Sequence, residues 1–433
     1  MSTGIDVFGP LFLSYRQSDG SEIVAQLAWT LRAAGIPVWR DKDDLPPGDT
    51  ANRLEEAIDG GLSGATFVIT VDIINSSIVR SIEAPKLIDL HHNDSRFQLL
   101  IANDVAKGSG SLDYSAPDKL LGRVKDDLKG VDQSATSMEG LLTITRKALT
   151  HRMVQHRATV ENNGAFKLTI QTRNIGQVYD RTGAQLDIRV RRSHHEKLPD
   201  PAGLEDLRRT LGLLPDAVTS TGARVVQVGG GAHLSVAFAL GAALPSSRIG
   251  TIEVFDQRSD VWTSGPESSI PETPTLLFDV TEHSKAISSD DRPRVAVYVD
   301  LLSTRSDAAF ERYLEEYGDS LASHGVIRSP RRGLLDPAHA GKIASEVAGL
   351  IRQISGDHAN ARVDLLLAVP FGLAILIGRL SNTLRVRLFE WDDSDASTEH
   401  SGDPRPRYVP CLEVRAGSTA GPITSVLLQS CND

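Results

Sequence analysis

Two stretches of this chain share one pattern. Ala223 to Asp256, ARVVQVGGGAHLSVAFALGAALPSSRIGTIEVFD, lines up with Ala361 to Asp393, ARVDLLLAVPFGLAILIGRLSNTLRVRLFEWDD. Each copy reads as an apolar strand, a tight turn, an apolar helix and a second strand. With a one-residue gap at the turn, His233 falls on Pro370, Ala237 on Ala374, Gly241 on Gly378 and Glu253 on Glu390. A duplicated strand-helix-strand unit constrains the fold more than any single motif, because a crossover helix joins strands that lie parallel in one sheet. A strand precedes each copy, AQLDIRVRR (Ala184 to Arg192) before the first and RVAVYVDLL (Arg294 to Leu302) before the second. After the latter come Ser303 to Asp307 and a helix from Ala308. The expectation is two wound α/β halves fused in one chain, with a ligand pocket on the pseudo-twofold between them.

The first 105 residues alternate strands and helices in the same α/β manner. LFLS (Leu11 to Ser14) is the first strand. A helix follows over residues 21 to 34, with Ile23, Val24, Leu27, Ala28 and Leu31 on one face and Gly35 as its C-cap. IPVW (Ile36 to Trp39), ATFVITV (Ala65 to Val71) and FQLLIA (Phe97 to Ala102) supply further strands, and a helix runs from about Ser77 to Leu90. This predicts a flavodoxin-like wound sheet. Residues 103 to 135 are polar and Gly/Ser-rich in part, whereas 137 to 158 return to helical spacing with Met138, Leu141, Leu142, Ile144, Leu149 and Val154.

Composition narrows the class. At 433 residues the chain holds two or three domains, each with its own core. The longest uncharged apolar run, Leu365 to Gly378, contains Pro370 and is shorter than the ~18 to 20 residues a membrane span needs, so it reads as buried core. The opening MSTGIDVFGP lacks the basic and apolar regions of a secretory signal, which sets the expectation of a cytoplasmic protein. Cys411 and Cys431 are too few for a disulfide framework. With 46 Lys+Arg against 56 Asp+Glu, the net charge of -10 argues against duplex nucleic acid, and an anionic ligand must find a local basic pocket. The pairs His91-His92 and His194-His195 lack converging Cys or Asp partners, so no metal is expected.

Three stretches of the first 150 residues stand out together: LFLSYR (Leu11 to Arg16), GIPVWRDKDDLPPG (Gly35 to Gly48) with its Trp-Arg-Asp and Asp-Leu-x-Pro-Gly elements, and SSIVRSIEA (Ser76 to Ala84). Through them, over roughly residues 8 to 150, the sequence resembles a TIR domain. TIR domains act either as scaffolds that bind one another or as enzymes that cleave the nicotinamide-ribose bond of NAD. The resemblance makes Glu83 the catalytic carboxylate and puts Phe12, Tyr15, Arg16, Trp39, Arg40 and Asp44 around NAD, with the loop at Asp44 to Gly48 as a movable gate that docks on a neighbouring subunit. The chemistry asks little of the protein. Nicotinamide leaves NAD as a neutral molecule, so no general acid is needed, only a carboxylate to stabilise the oxocarbenium-like ribosyl cation.

The turn Gly229-Gly230-Gly231-Ala232-His233-Leu234 follows a strand and opens a helix, as a dinucleotide fingerprint does, but Leu234 replaces the third glycine and the duplicated turn Ala368 to Gly372 has none of the pattern. A redox Rossmann site is disfavoured, although both helix starts offer N-H groups to an anion. Over roughly residues 165 to 433 the chain resembles a SAVED domain, a fused pair of Rossmann-like (CARF-like) units that senses cyclic oligonucleotides. TIR-SAVED fusions serve as effectors in bacterial antiphage signalling. The resemblance implies a TIR domain at 1-136, a helical connector at 137-164 and a SAVED domain at 165-433, with halves at about 165-270 and 271-433. It implies a cyclic oligonucleotide, a tri-adenylate, as activator, NAD as substrate, no cofactor, and self-association into a head-to-tail filament. Ligand candidates are the strand-end residues Arg192, Lys197, Ser303, Thr304 and Arg305 and the turn residues Gly230, Gly231, His233, Pro370, Phe371 and Gly372, since phosphates need cations or N-H donors and bases need flat surfaces. The competing reading is a noncatalytic TIR adaptor gathered by a cyclic nucleotide.

Overall fold

Strands β1 (Leu11–Ser14), β2 (Val38–Trp39), β3 (Gly64–Ile69), β4 (Gln98–Asn103) and β5 (Asp132–Ala135) form an all-parallel sheet in the order β2-β1-β3-β4-β5. That is the flavodoxin-like order expected from the alternating pattern, and the direction of winding reverses between β1 and β3. The structure is a computed structural model that describes residues 4–39, 55, 57–173, 183–193, 197–265, 275–283, 293–331, 333–394 and 405–429. Arg40, Asp44 and the rest of the Asp41 to Gly48 loop lie outside the described residues, as do His194, His195 and Cys431. By compactness the chain divides into two units, one of residues 1–169, 175–189 and 216–223, the other of 170–174, 190–215 and 224–433.

In the first unit, α1 (Gln17–Ala33) buries Val24, Leu27, Ala28 and Leu31, the face its spacing predicts. Phe67, Phe97, Ile101 and Leu87 are fully buried in the core of the wound sheet, each contributing about 2 kcal/mol of burial free energy. Strand β5, DQSA, stands in a segment whose sequence shows no strand pattern. It is half exposed at the sheet edge, so backbone pairing to β4 makes it a strand without any apolar alternation. The helix expected from Ser77 continues to Asn93, but it contains a π turn over Val79–Glu83, closed by the Ala84 N-H to the Val79 carbonyl, before α2 (Ala84–Asn93). Helix α3 (Met138–Asn163) is a single 26-residue helix capped by Ser137 and ending at the left-handed Gly164. It packs within the first unit, where buried Arg152 donates to the carbonyls of Gly9 and Gln185.

Strands β6 (Ala165–Gln171) and β7 (Leu186–Arg189) pair with each other, and the end of β6 belongs to the second unit, where Ile170 lies beside Gly230. There β8 (Val225–Gly231) and β9 (Thr251–Phe255) are parallel and β10 (Val261–Thr263) is antiparallel to β9. The second half is a larger sheet: β11 (Leu277–Glu282), β12 (Arg294–Asp300), β13 (Ser323–Arg328), β14 (Arg362–Ala368), β15 (Val386–Asp392), β16 (Arg407–Val414) and β17 (Ile423–Val426), in the order β11-β13-β12-β14-β15-β16-β17. Strands β13, β12, β14 and β15 are parallel neighbours, and the remaining pairings are antiparallel.

The duplication is visible in the backbone. Helices α4 (Leu234–Ala243) and α5 (Phe371–Arg379) follow aligned turns, and their N-caps have nearly the same torsions, φ -58, ψ 146 at His233 and φ -59, ψ 147 at Pro370. They pack against each other through the aligned glycines. A Cβ on Gly241 would lie 2.0 Å from the Ile375 carbonyl oxygen, and a Cβ on Gly378 would lie 2.1 Å from the Phe238 carbonyl oxygen. Phe238 and Ile375 are themselves aligned, so the contact is reciprocal across a local twofold. Neither carbonyl can move without parting the helices. Gly241→Ala and Gly378→Ala are each expected to cost about 3 kcal/mol in urea unfolding followed by tryptophan fluorescence. A loss below about 0.5 kcal/mol would mean that the helices do not meet at these glycines.

Candidate functional site

Open α/β sheets place ligands beyond the carboxyl ends of their strands, where the winding reverses. In the first unit a cavity of about 340 Å³ lies there, between the end of β1 and the segment that follows β3. Phe12, Tyr15, Arg16, Trp39 and Glu83 all line it, so five of the sequence candidates converge. Phe12 and Trp39 are stacked, with ring centroids 4.8 Å apart and planes 19° apart, and both are buried. They form one wall, an apolar surface for an aromatic ring. Arg16, at the N-cap of α1, makes ion pairs with Asp19 at 3.7 Å and Asp72 at 3.4 Å.

Glu83 closes the π turn, and the turn determines where its side chain goes. The extra residue in this turn buries Val79 and Glu83 together, and both line the cavity. Glu83 is only 7% exposed. Its Oε2 accepts a hydrogen bond from the Ser14 hydroxyl at 2.5 Å, from the last residue of β1. Helical spacing alone places Glu83 near Ile82 and Leu87 and does not indicate Ser14. The signal for Ser14 was its position, a small hydroxyl residue at the carboxyl end of the first strand.

The second unit holds two cavities of about 740 and 790 Å³ with Arg173, Ala232, Leu302 and Phe371 in both walls. Gly230, Gly231, Ser303 and Pro370 line the first, and Lys197, His233 and Thr304 line the second. Arg192, Arg305 and Gly372 line neither. Gly372 is buried under Trp262, whose Cγ would lie 2.8 Å from a Cβ there, and Arg305 stands 3.9 Å from Asp300. The candidates absent from the sequence reading are Arg173, Trp262, Tyr298, Asp300, Glu390 and Tyr408. Arg173 follows the end of β6 as Ser303 follows that of β12, so the strand-end rule applied to β6 would have found it.

Trp262 is held by its indole N-H, 3.2 Å from Asp256 Oδ2, and with Phe371 it gives the first cavity flat surface. In the second, Lys197 lies 5.1 Å over the Trp391 ring and pairs with Asp393. Tyr298 and Tyr408 sit edge to face, and burial raises both hydroxyls. Glu390 accepts from the Ser235 backbone N-H at 2.7 Å, and burial pushes its carboxyl up to about 7. The start of α4, expected to be open to an anion, already holds this carboxylate. Arg173, Lys197, the N-H groups of the glycine turn and the start of α5 remain for a phosphate.

Among the described residues no group of three or more His, Cys, Asp or Glu is arranged to hold a metal, and no helix is long and apolar enough to cross a membrane.

Comparison with known proteins agrees with this architecture. The TIR domain family model matches residues 11–82, ending one residue before Glu83. The model for the SAVED family, described as the SMODS-associated and fused to various effectors sensor domain, matches residues 175–414. A curated relative, NAD(+) hydrolase PdTIR of Paracoccus denitrificans (strain Pd 1222), is 44% identical over 61 residues, 14% of this chain, and the chain spans only 19% of that relative's length. Among solved structures, the Acinetobacter baumannii Cap4 SAVED/CARF-domain containing receptor with the cyclic trinucleotide 2'3'3'-cAAA superposes with a TM-score of 0.45 at 11% identity, covering 91% of this chain and 97% of that one. The Moraxella osloensis Cap4 receptor gives 0.40 at 10% identity, covering 91% and 98%. The sensor-domain match spans more than half of the sequence, and with the wound sheet and TIR match ahead of it the chain belongs to the SAVED family as a TIR-SAVED protein.

Proposed function

We propose that this protein is an NAD hydrolase switched on by a cyclic oligonucleotide, an effector of antiphage signalling that needs no cofactor. The observation that carries the reading is the buried Glu83 carboxylate at the sheet's winding reversal, beside the stacked Phe12 and Trp39. The cavity takes the nicotinamide-ribose end of NAD, with the ring against the aromatic wall. The bond between ribose C1′ and the pyridinium nitrogen breaks, and its electron pair leaves with neutral nicotinamide. Glu83 stabilises the cation left on the ribose. A water oxygen then bonds to C1′ and releases a proton, giving ADP-ribose. The likeness to an NAD hydrolase over 61 residues supports this chemistry.

The activator occupies the cavities of the second unit. Each lies in the upper part of the ~300–1,000 Å³ range of ligand sites, and their walls combine cations with aromatic surface. A tri-adenylate ring is the ligand we assign. It acts by joining subunits head to tail into a filament.

The test supplies the full chain with NAD and a panel of cyclic di-, tri- and tetranucleotides while free nicotinamide and light scattering are followed. Nicotinamide release only with a cyclic trinucleotide, rising more steeply than linearly with protein concentration and together with scattering, is the expected result. Scattering without nicotinamide would make the protein an adaptor. Turnover by a monomer would remove the assembly step.

A further inference from the structure

We infer that Ser14 is a positioning residue for the Glu83 carboxylate, its hydroxyl donating to Oε2 and fixing the rotamer of the side chain that faces the cavity. The inference rests on the NAD-cleaving reading above. Ser14 is 1% exposed at the carboxyl end of β1, so its hydroxyl is held by a strand rather than by a loop. It reaches Glu83 at 2.5 Å across 69 residues of sequence, within the length of a charge-assisted O-H to carboxylate bond. Glu83 stands at the end of a π turn and lines the cavity. A buried carboxylate is costly unless donors satisfy it, and a donor on one oxygen favours the ionised form. The cation-stabilising role requires that form. Ser14 therefore selects the rotamer of a group that touches the substrate and supplies a donor to its carboxylate.

Two measurements on the full chain test this. The first is the pH dependence of nicotinamide release from NAD, with a synthetic cyclic tri-adenylate as activator. In Ser14→Ala the acid limb should move to higher pH, so that kcat falls more at pH 6 than at pH 8, while KM changes less than threefold. Ser14→Thr, which keeps the hydroxyl, should restore the wild-type profile. A merely structural loss would lower the rate equally at all pH values and would overturn the inference.

The second measurement needs no activity. In a double-mutant cycle of Ser14→Ala and Glu83→Ala followed by urea unfolding, the pair should show a coupling of about tenfold in the unfolding constant at pH 7.5, equal to about 1.4 kcal/mol. That coupling should weaken as the pH falls, because a neutral acceptor makes a weaker hydrogen bond than a charged one. Additive effects at pH 7.5 would overturn the role of Ser14 whether or not NAD is cleaved. Full activity of Glu83→Gln would instead sink the functional reading while leaving the coupling measurable.

Discussion

Glu83→Gln should lower NAD cleavage by about a thousandfold, because it keeps the size and hydrogen-bonding capacity of the side chain and removes only the charge that opposes the developing ribosyl cation. The buried position makes this effect large. At 7% exposure little water screens the carboxylate, and the stacked Phe12–Trp39 pair excludes more from one side. The amide can still accept from Ser14, so folding should be preserved and calorimetric binding of cyclic tri-adenylate to the second unit should match wild type. A rate within about threefold of wild type, ~0.7 kcal/mol, would defeat the assignment.

Gly231→Phe should abolish activation by the cyclic oligonucleotide, with affinity at least a hundredfold weaker, while leaving the protein folded. Neighbouring glycines in the same turn differ physically. Gly230 has φ +103, and a Cβ there would stand 2.2 Å from the Ile170 carbonyl oxygen, so any side chain would strain the backbone and break the approach of β6 to β8. A Cβ on Gly231 meets only Gln171 Oε1, at 3.7 Å. A larger side chain there has room to extend, and Gly231 lines the 740 Å³ cavity. Calorimetry with cyclic tri-adenylate measures the affinity, and thermal melting confirms the fold. Unchanged affinity would place the ligand outside this cavity.

The sequence patterns that proved readable are those carried by neighbours in the chain. Apolar runs at LFLS and ATFVITV identified β1 and β3, the spacing in α1 identified its buried face, and the aligned GGGAH and VPFG turns predicted two helix starts whose caps match within a degree. Such signals are legible because hydrophobic period and turn chemistry act over a few residues. The strand DQSA was not legible, since an edge position imposes no apolar alternation and only pairing with β4 makes it a strand.

Alignment placed Gly241 on Gly378, but nothing in either helix announces that each glycine faces the other helix's carbonyl. The π turn likewise leaves no trace in SIVRSIEA, yet it buries Val79 and Glu83 together. Glu83 was nameable from its motif, whereas its partnership with Ser14 spans 69 residues, and Glu390 reaches the start of α4 across 155. Contacts at that separation depend on how strands are ordered in a sheet and how helices cross, and those arrangements minimise the free energy of the whole unit rather than of any segment. Residue identity and local period therefore specify the candidates, and long-range packing selects which of them meet, because only burial among distant neighbours makes an exposed geometry costly and a converged one stable.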